Sequence, residues 1–136
     1  MTTATVPFRL AAEDRPLLLV PTSVNGSGPF DFVLDTGASG VLIGETLAAD
    51  LALERSEPVA ATGAGGTLRV VRTRLDSVCI GEICVKDLEA AIADLSPIAA
   101  AAGTPIMGIV GHPVLARLVV TVDYPRRRLT LQSAEG

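Results

Sequence analysis

The sequence predicts a mainly β domain of barrel-like architecture that carries one or two short helices. Three observations lead there. Short apolar runs recur along the whole chain, and glycine-rich clusters separate them, as at Asn25-Gly26-Ser27-Gly28-Pro29 and Thr62-Gly63-Ala64-Gly65-Gly66. Apolar residues at helical spacing are confined to residues 42–53 and to a brief stretch opened by His112-Pro113. At 136 residues the chain has room for one core, and no repeat or long linker divides it, so residues 1–136 read as a single domain.

Each element has its own reason. Residues 8–10 and 16–24 read as strands, and the Asn25–Pro29 cluster as a tight turn. Residues 30–34 form an apolar strand that ends at Asp35. Leu42, Ile43, Leu47 and Leu51 fall at helical spacing and predict a short helix over 42–53. Residues 59–61 and 68–71 flank the Thr62–Gly66 cluster, which predicts a hairpin with a flexible tip. Residues 75–80 and 83–85 form a second hairpin around Gly81-Glu82. Residues 89–95 suit either strand or helix, and 99–103 read as a loop of small residues. Residues 107–110 are an apolar strand. Pro113 suits the start of a helix that reaches Leu118. Residues 119–122 and 129–131 are strands around a Tyr124-Pro125-Arg126 turn.

Composition narrows the function. The chain is 49% hydrophobic with a mean hydropathy of +0.47. Its early apolar run, Leu17-Leu18-Leu19-Val20, is nonetheless far short of the roughly 18 residues a spanning helix needs. No membrane partner is expected. No basic segment leading into a long apolar stretch marks a secretory leader, so the expected location is the cytoplasm. A net charge of −4 and a pI near 4.9 argue against nucleic acid as a partner. Arg126-Arg127-Arg128 reads as a solvated turn rather than a phosphate patch. A single histidine, His112, cannot support a metal site, and no cofactor is implied.

Cys79 and Cys84 bracket Ile80-Gly81-Glu82-Ile83. With Gly81-Glu82 as a two-residue turn, Ile80 and Ile83 form the hydrogen-bonded pair and the cysteines the closer, non-bonded one. A cross-strand disulfide is geometrically possible there. In a reducing compartment the expected state is two buried thiols.

The chemistry concentrates at Val33-Leu34-Asp35-Thr36-Gly37-Ala38-Ser39, with Ile109-Val110-Gly111 roughly seventy residues further on. The strand before Asp35 is expected to deliver its carboxylate into the interior, where such a group needs partners or work. Gly37 reads as the residue that lets the chain reverse where a Cβ would obstruct it. Thr36 and Ser39 can tie the turn to neighbouring backbone. No other aspartate in the chain is followed by Ser/Thr-Gly.

With those residues in view, the chain resembles the retropepsin-type aspartic proteases, single-domain relatives of pepsin. The match runs in order from the strand into Asp35-Thr36-Gly37-Ala38-Ser39, through the glycine-rich hairpin where the family places its flap. It continues through Thr104-Pro105-Ile106-Met107 and Ile109-Val110-Gly111 to a short helix and a strand ending Val122-Asp123-Tyr124. The resemblance implies a closed acid-protease barrel and an aspartic endopeptidase acting on peptide or protein substrates. That chemistry needs a water between two carboxylates, one to take a proton and one to give one. Two carboxylates in contact share a proton, a rule of which the aspartic-protease pair is itself a known case. A chain with one such aspartate is therefore expected to work as a symmetric homodimer.

By the same resemblance Asp35 is the catalytic carboxylate, Thr36 steadies the pair across the two-fold axis, and Gly37 admits backbone close by. Gly63, Ala64 and Gly65 form the flap over an extended substrate. Val33, Ala38, Met107 and Ile109 fall where the family contacts substrate, although ordinary core packing would also account for Val33, Met107 and Ile109. Retroviral members often place an acidic residue at Ser39 and an arginine at His112, and the ion pair between them braces the dimer. His112 reads instead as a capping or hydrogen-bonding residue. The chain also runs on past Asp123-Tyr124 into a further strand, as bacterial and cellular members do, so the interdigitated terminal sheet of retroviral dimers is not expected. The alternative is a peptide-binding or dimerisation module that keeps the fold and cleaves little.

Overall fold

The computed structural model describes residues 2–11, 17–56, 58–63 and 66–133. Strands β1 (Thr3–Pro7), β2 (Arg9–Ala11), β3 (Leu17–Val24) and β4 (Ser27–Leu34) open the chain. The β3–β4 turn is tighter than the sequence suggested, because Asn25 and Gly26 alone make it, with φ of 51° and 81°. Left-handed backbone at both positions is what an Asn-Gly hairpin turn provides. The Asn25 carboxamide oxygen accepts the backbone N–H groups of Asp76 and Ser77 at 2.8 and 3.2 Å, which docks this turn on a later strand.

Next come β5 (Leu42–Gly44) and α1 (Glu45–Asp50). The helix expected over 42–53 is therefore halved. Leu42 and Ile43 pair with neighbours on both sides, and that sheet pairing overrides their helical spacing. β6 (Pro58–Gly63), β7 (Gly66–Ile80) and β8 (Ile83–Ala93) follow. β7 is one continuous strand of 15 residues rather than two short ones. Arg72 and Arg74 point to solvent while Thr73 and Leu75 are buried, so the polar stretch that seemed to interrupt the strand is its exposed face. Residues 89–93 resolve as strand.

α2 (Ser96–Ala102) replaces the expected loop. Its alanines are strong helix formers, Pro97 stands in its first turn, and Gly103 ends it with a φ of 71°. β9 (Gly108–Val110), α3 (His112–Leu115), β10 (Leu118–Asp123) and β11 (Arg128–Ser133) complete the chain. The described residues thus hold three short helices, one more than expected.

Eight strands lie in the order β2-β3-β4-β9-β5-β8-β7-β6, and β3 also pairs with β7 through Ser23↔Cys79 and Val24↔Val78. That extra pairing closes β3, β4, β9, β5, β8 and β7 into a ring, the barrel the sequence predicted. A second sheet, β1-β11-β10, packs beside it. Ala4, Val6, Leu129 and Leu131 from that sheet join Phe32, Ile43, Leu75 and Ile80 from the barrel in the main core. A smaller cluster gathers Leu19, Val33, Val70, Leu95 and Ile109.

The cysteine hairpin has the predicted register, Cys79↔Cys84 beside Ile80↔Ile83. Its chemical state differs from the expectation: Cys79 and Cys84 are joined in a disulfide, and Cys84 is exposed rather than buried. The non-hydrogen-bonded site brings their Cα atoms to 4.0 Å, so the sulfurs meet without any shift of the strands. Such a bridge persists in an oxidising environment, and a reducing one would return the pair to thiols. No helix among the described residues is long and apolar enough to cross a membrane.

The three arginines at 126–128 are exposed, Arg126 and Arg127 in the β10–β11 turn and Arg128 as the first residue of β11. Asp123 accepts the Arg126 guanidinium at 3.0 Å and the Arg126 backbone N–H at 3.2 Å. These two bonds hold its carboxyl below the usual aspartate range. A depressed folded-state pKa means the contribution is complete above the ordinary aspartate value and fades as pH falls through the folded one. The melting temperature of Asp123→Asn is therefore expected to sit slightly below wild type at neutral pH. Thermal scans at descending pH should show that gap closing below the usual carboxylate range.

Candidate active site

Asp35 lies one residue past the end of β4, where Phe32 and Val33 are buried. β9 runs parallel to β4 on one side, with Phe32↔Gly108, Val33↔Ile109 and Leu34↔Val110, and antiparallel to β5 on the other. The strand from the second motif therefore threads between the strands that precede and follow the first. Both motifs end at the same place. The Asp35 N–H donates to the Val110 carbonyl at 3.0 Å, and the His112 N–H donates to the Ala38 carbonyl at 2.8 Å. Ala38 closes the turn by donating its own N–H to the Asp35 carbonyl at 3.1 Å.

Gly111 makes this closure possible. A Cβ there would stand 2.3 Å from the Gly40 carbonyl oxygen, 2.6 Å from that of Ala38 and 2.8 Å from the Ala38 Cβ. No rotamer change relieves contacts with backbone. Gly108 is similarly confined, 2.4 Å from the Phe32 ring and 2.6 Å from the Leu42 carbonyl oxygen. In a sequence, each is simply the glycine at one end of an apolar strand; in space they let β9 fit between its neighbours.

The carboxylate of Asp35 accepts one hydrogen bond, from the Gly37 N–H to Oδ1 at 2.9 Å. Contrary to the sequence reading, the side chain is exposed in the single chain, as are Thr36, Gly37 and Ser39. The strand delivers the carboxylate to the barrel's surface rather than its interior. Neither the Thr36 nor the Ser39 hydroxyl finds a partner among the described residues, so the turn is tied by backbone bonds and by the Asp35 carboxylate's bond from Gly37. Gly37 does not have a left-handed φ, and a Cβ there would lie 3.4 Å from Asp35 Oδ1, an ordinary contact. Nothing within one chain requires glycine at that position.

The remaining candidates divide. Val33 and Ile109 are buried in the smaller cluster, with Ala38 packed against it. Met107 packs against the main core, and its N–H donates to the carbonyl of Asp31, in the middle of β4 and four residues before Asp35. It lines a cavity of about 300 Å³ with Leu47, Leu95 and Ile106. The hairpin expected at residues 59–71 is present as β6–β7, with Gly63 paired to Gly66, whereas Ala64 and Gly65 lie outside the described residues. His112 is exposed, and its backbone rather than its ring makes the bond to the turn. The capping expected of its side chain is absent, because the start of α3 has no side-chain cap.

The aspartyl protease family model matches residues 20–114, a span that holds the Asp35 turn, the β6–β7 hairpin and β9. The chain belongs to the aspartyl protease family. Among solved structures it is similar to a retropepsin-like aspartic protease from Rickettsia conorii, with a TM-score of 0.65 and 18% identity. That match covers 96% of this chain and 99% of the other, so the whole domain has the retropepsin-like fold. No curated protein matches the chain. The β1-β11-β10 sheet lies wholly outside the family match, since β1 precedes residue 20 and both β10 and β11 follow residue 114.

Proposed function

We propose that two copies of this chain form an aspartic endopeptidase in which the two Asp35 carboxylates activate one water to hydrolyse a peptide bond. The observation that carries the reading is a lone Asp-Thr-Gly carboxylate held rigidly by the chain's second motif yet left facing solvent. Its one internal partner is a single N–H, which leaves the carboxylate open to a second one. A second Asp35 against the first supplies the missing acid–base pair: one carboxylate takes the proton of the attacking water, and the other protonates the leaving amine.

In this reading Thr36 steadies the pair across the two-fold axis, which gives its free hydroxyl a partner. Gly37 is small because something from outside the chain, the partner or the substrate, comes close to it. Val33, Ala38 and Ile109 form the apolar wall beside the carboxylate and favour an apolar side chain next to the cleaved bond. The hairpin around Gly63, Ala64 and Gly65 closes over an extended peptide and pairs with its backbone. Met107 contributes packing more than contact with substrate, given its place against the main core.

Activity per chain is expected to rise with protein concentration until the dimer saturates. A peptide digestion series at increasing enzyme concentration, run alongside light scattering, tests this. A strict monomer with constant specific activity would overturn the reading.

A further inference from the structure

We propose that the Cys79–Cys84 bridge is a redox clasp on the barrel. Thiol–disulfide exchange at the exposed Cys84 releases the end of the β7–β8 hairpin, loosens the seam where β3 meets β7, and lowers the peptidase activity proposed above. The loss of activity rests on that reading; the loosening of the seam does not.

The seam is short and lies at one end of β7. Ser23↔Cys79 and Val24↔Val78 join β3 to β7. Beside them the Asn25 N–H donates to the Ser77 carbonyl at 2.9 Å, and the Asn25 carboxamide oxygen takes the Asp76 and Ser77 N–H groups. All of these contacts fall on residues 76–79, just before the Gly81-Glu82 turn. Cys79 therefore serves two neighbours at once, Ser23 through its place in the ladder and Cys84 through its sulfur.

That end of the hairpin is partly separated from the rest. The β7–β8 ladder runs from Val71↔Ile92 to Leu75↔Leu88, skips Asp76 and Asp87, and resumes at Ser77↔Lys86. Asp87 has a φ of 56°, and its carboxylate accepts the Arg74 guanidinium at 2.8 Å. Beyond the break the hairpin end is held by Ser77↔Lys86, Val78↔Val85, Cys79↔Cys84 and Ile80↔Ile83. A short ladder of this kind opens locally at lower cost than the sheet it continues. The bridge removes that freedom across the very residues that close the barrel.

The bridge is also open to attack. Cys84 is exposed, whereas Cys79 is half-buried. A small-molecule thiolate attacks the Cys84 sulfur and forms a mixed disulfide there, and Cys79 leaves as a thiolate that takes up a proton. A second thiolate attacks the small molecule's sulfur in that mixed disulfide. Cys84 leaves as a thiolate and is protonated, and the small-molecule disulfide departs. Two thiols are oxidised for the one bridge reduced. β7 continues unbroken from the seam to Gly66, where it pairs with β6. Freedom gained at the seam is thus passed along one strand to the hairpin proposed to close over substrate.

The full chain is compared oxidised and after native treatment with dithiothreitol, with free thiols counted by alkylation and mass spectrometry. On reduction, amide exchange read by NMR is expected to quicken tenfold or more at Asp76 and Ser77, with less than threefold change along β10 and β11. kcat/KM on a peptide should fall at least threefold and return on reoxidation. Cys79→Ser with Cys84→Ser should exchange like the reduced form and ignore dithiothreitol; if that variant does not fold, the two states of wild type decide. The clasp is overturned by a bridge that resists dithiothreitol, or by seam amides that stay unchanged or move only in step with β10 and β11. A double variant that still responds to dithiothreitol, or a faster seam with unchanged kcat/KM, overturns it as well. A chain inactive in both states overturns the endopeptidase reading, and the seam amides still decide the clasp.

Discussion

Asp35→Asn is expected to lower peptidase activity by at least about 10³-fold, with no measurable change in melting temperature. Both halves of the acid–base pair are the same residue, so one substitution removes both. An amide in its place neither takes a proton from water nor gives one to the leaving nitrogen. The fold survives because the side chain is exposed and its one internal bond, from the Gly37 N–H, is to an oxygen that asparagine retains. Digestion of a peptide library by wild type and variant, with thermal scans of both, checks the two halves. Near wild-type turnover in Asp35→Asn or Asp35→Ala would rule out the aspartic mechanism.

Gly111→Ala should act in the opposite sense, through the fold. Its new methyl group meets two carbonyl oxygens and the Ala38 Cβ, all closer than 3.0 Å. The turn must open to admit it, which strains the bonds from Asp35 N–H to Val110 and from His112 N–H to Ala38. Overpacking a rigid site costs about 1–3 kcal/mol, and backbone on two sides places this one at the upper end or beyond. Denaturant titration should show the loss, with activity falling alongside stability. An alanine variant as stable as wild type would mean that β9 has room to shift away from the Asp35 turn.

The parts of the fold that were legible beforehand are those written in local chemistry. Asn25-Gly26 marked its turn, Gly81-Glu82 set the register of Cys79 opposite Cys84, and the two glycine-ended apolar strands marked the site. What escaped was decided at a distance. Leu42 and Ile43 are strand because β8 and β9 flank them, and β7 is unbroken because β8 pairs with it through the polar stretch at residues 72–74. The oxidation state of Cys79 and Cys84 depends on surroundings that no residue spacing encodes. Asp35 was expected inside because a carboxylate after buried residues ordinarily serves the core; its exposure is intelligible once a site is allowed to lie between chains.

The threading of β9 between β4 and β5 also dictates when in the life of the chain the Asp35 turn can exist. Its fastening groups, the Val110 carbonyl and the His112 N–H, are made some seventy-five residues after Asp35 itself. Bringing such ends together costs about 4 kcal/mol of loop-closure entropy before any contact repays it. The hairpins β3–β4 and β7–β8, closed by two-residue turns, have no such wait. During synthesis the first hairpin can form early, yet it ends in an aspartate with nothing to hold it. The turn becomes rigid only when residues 108–112 have emerged and slid into place, so a nascent or truncated chain carries Asp35 on a loose end.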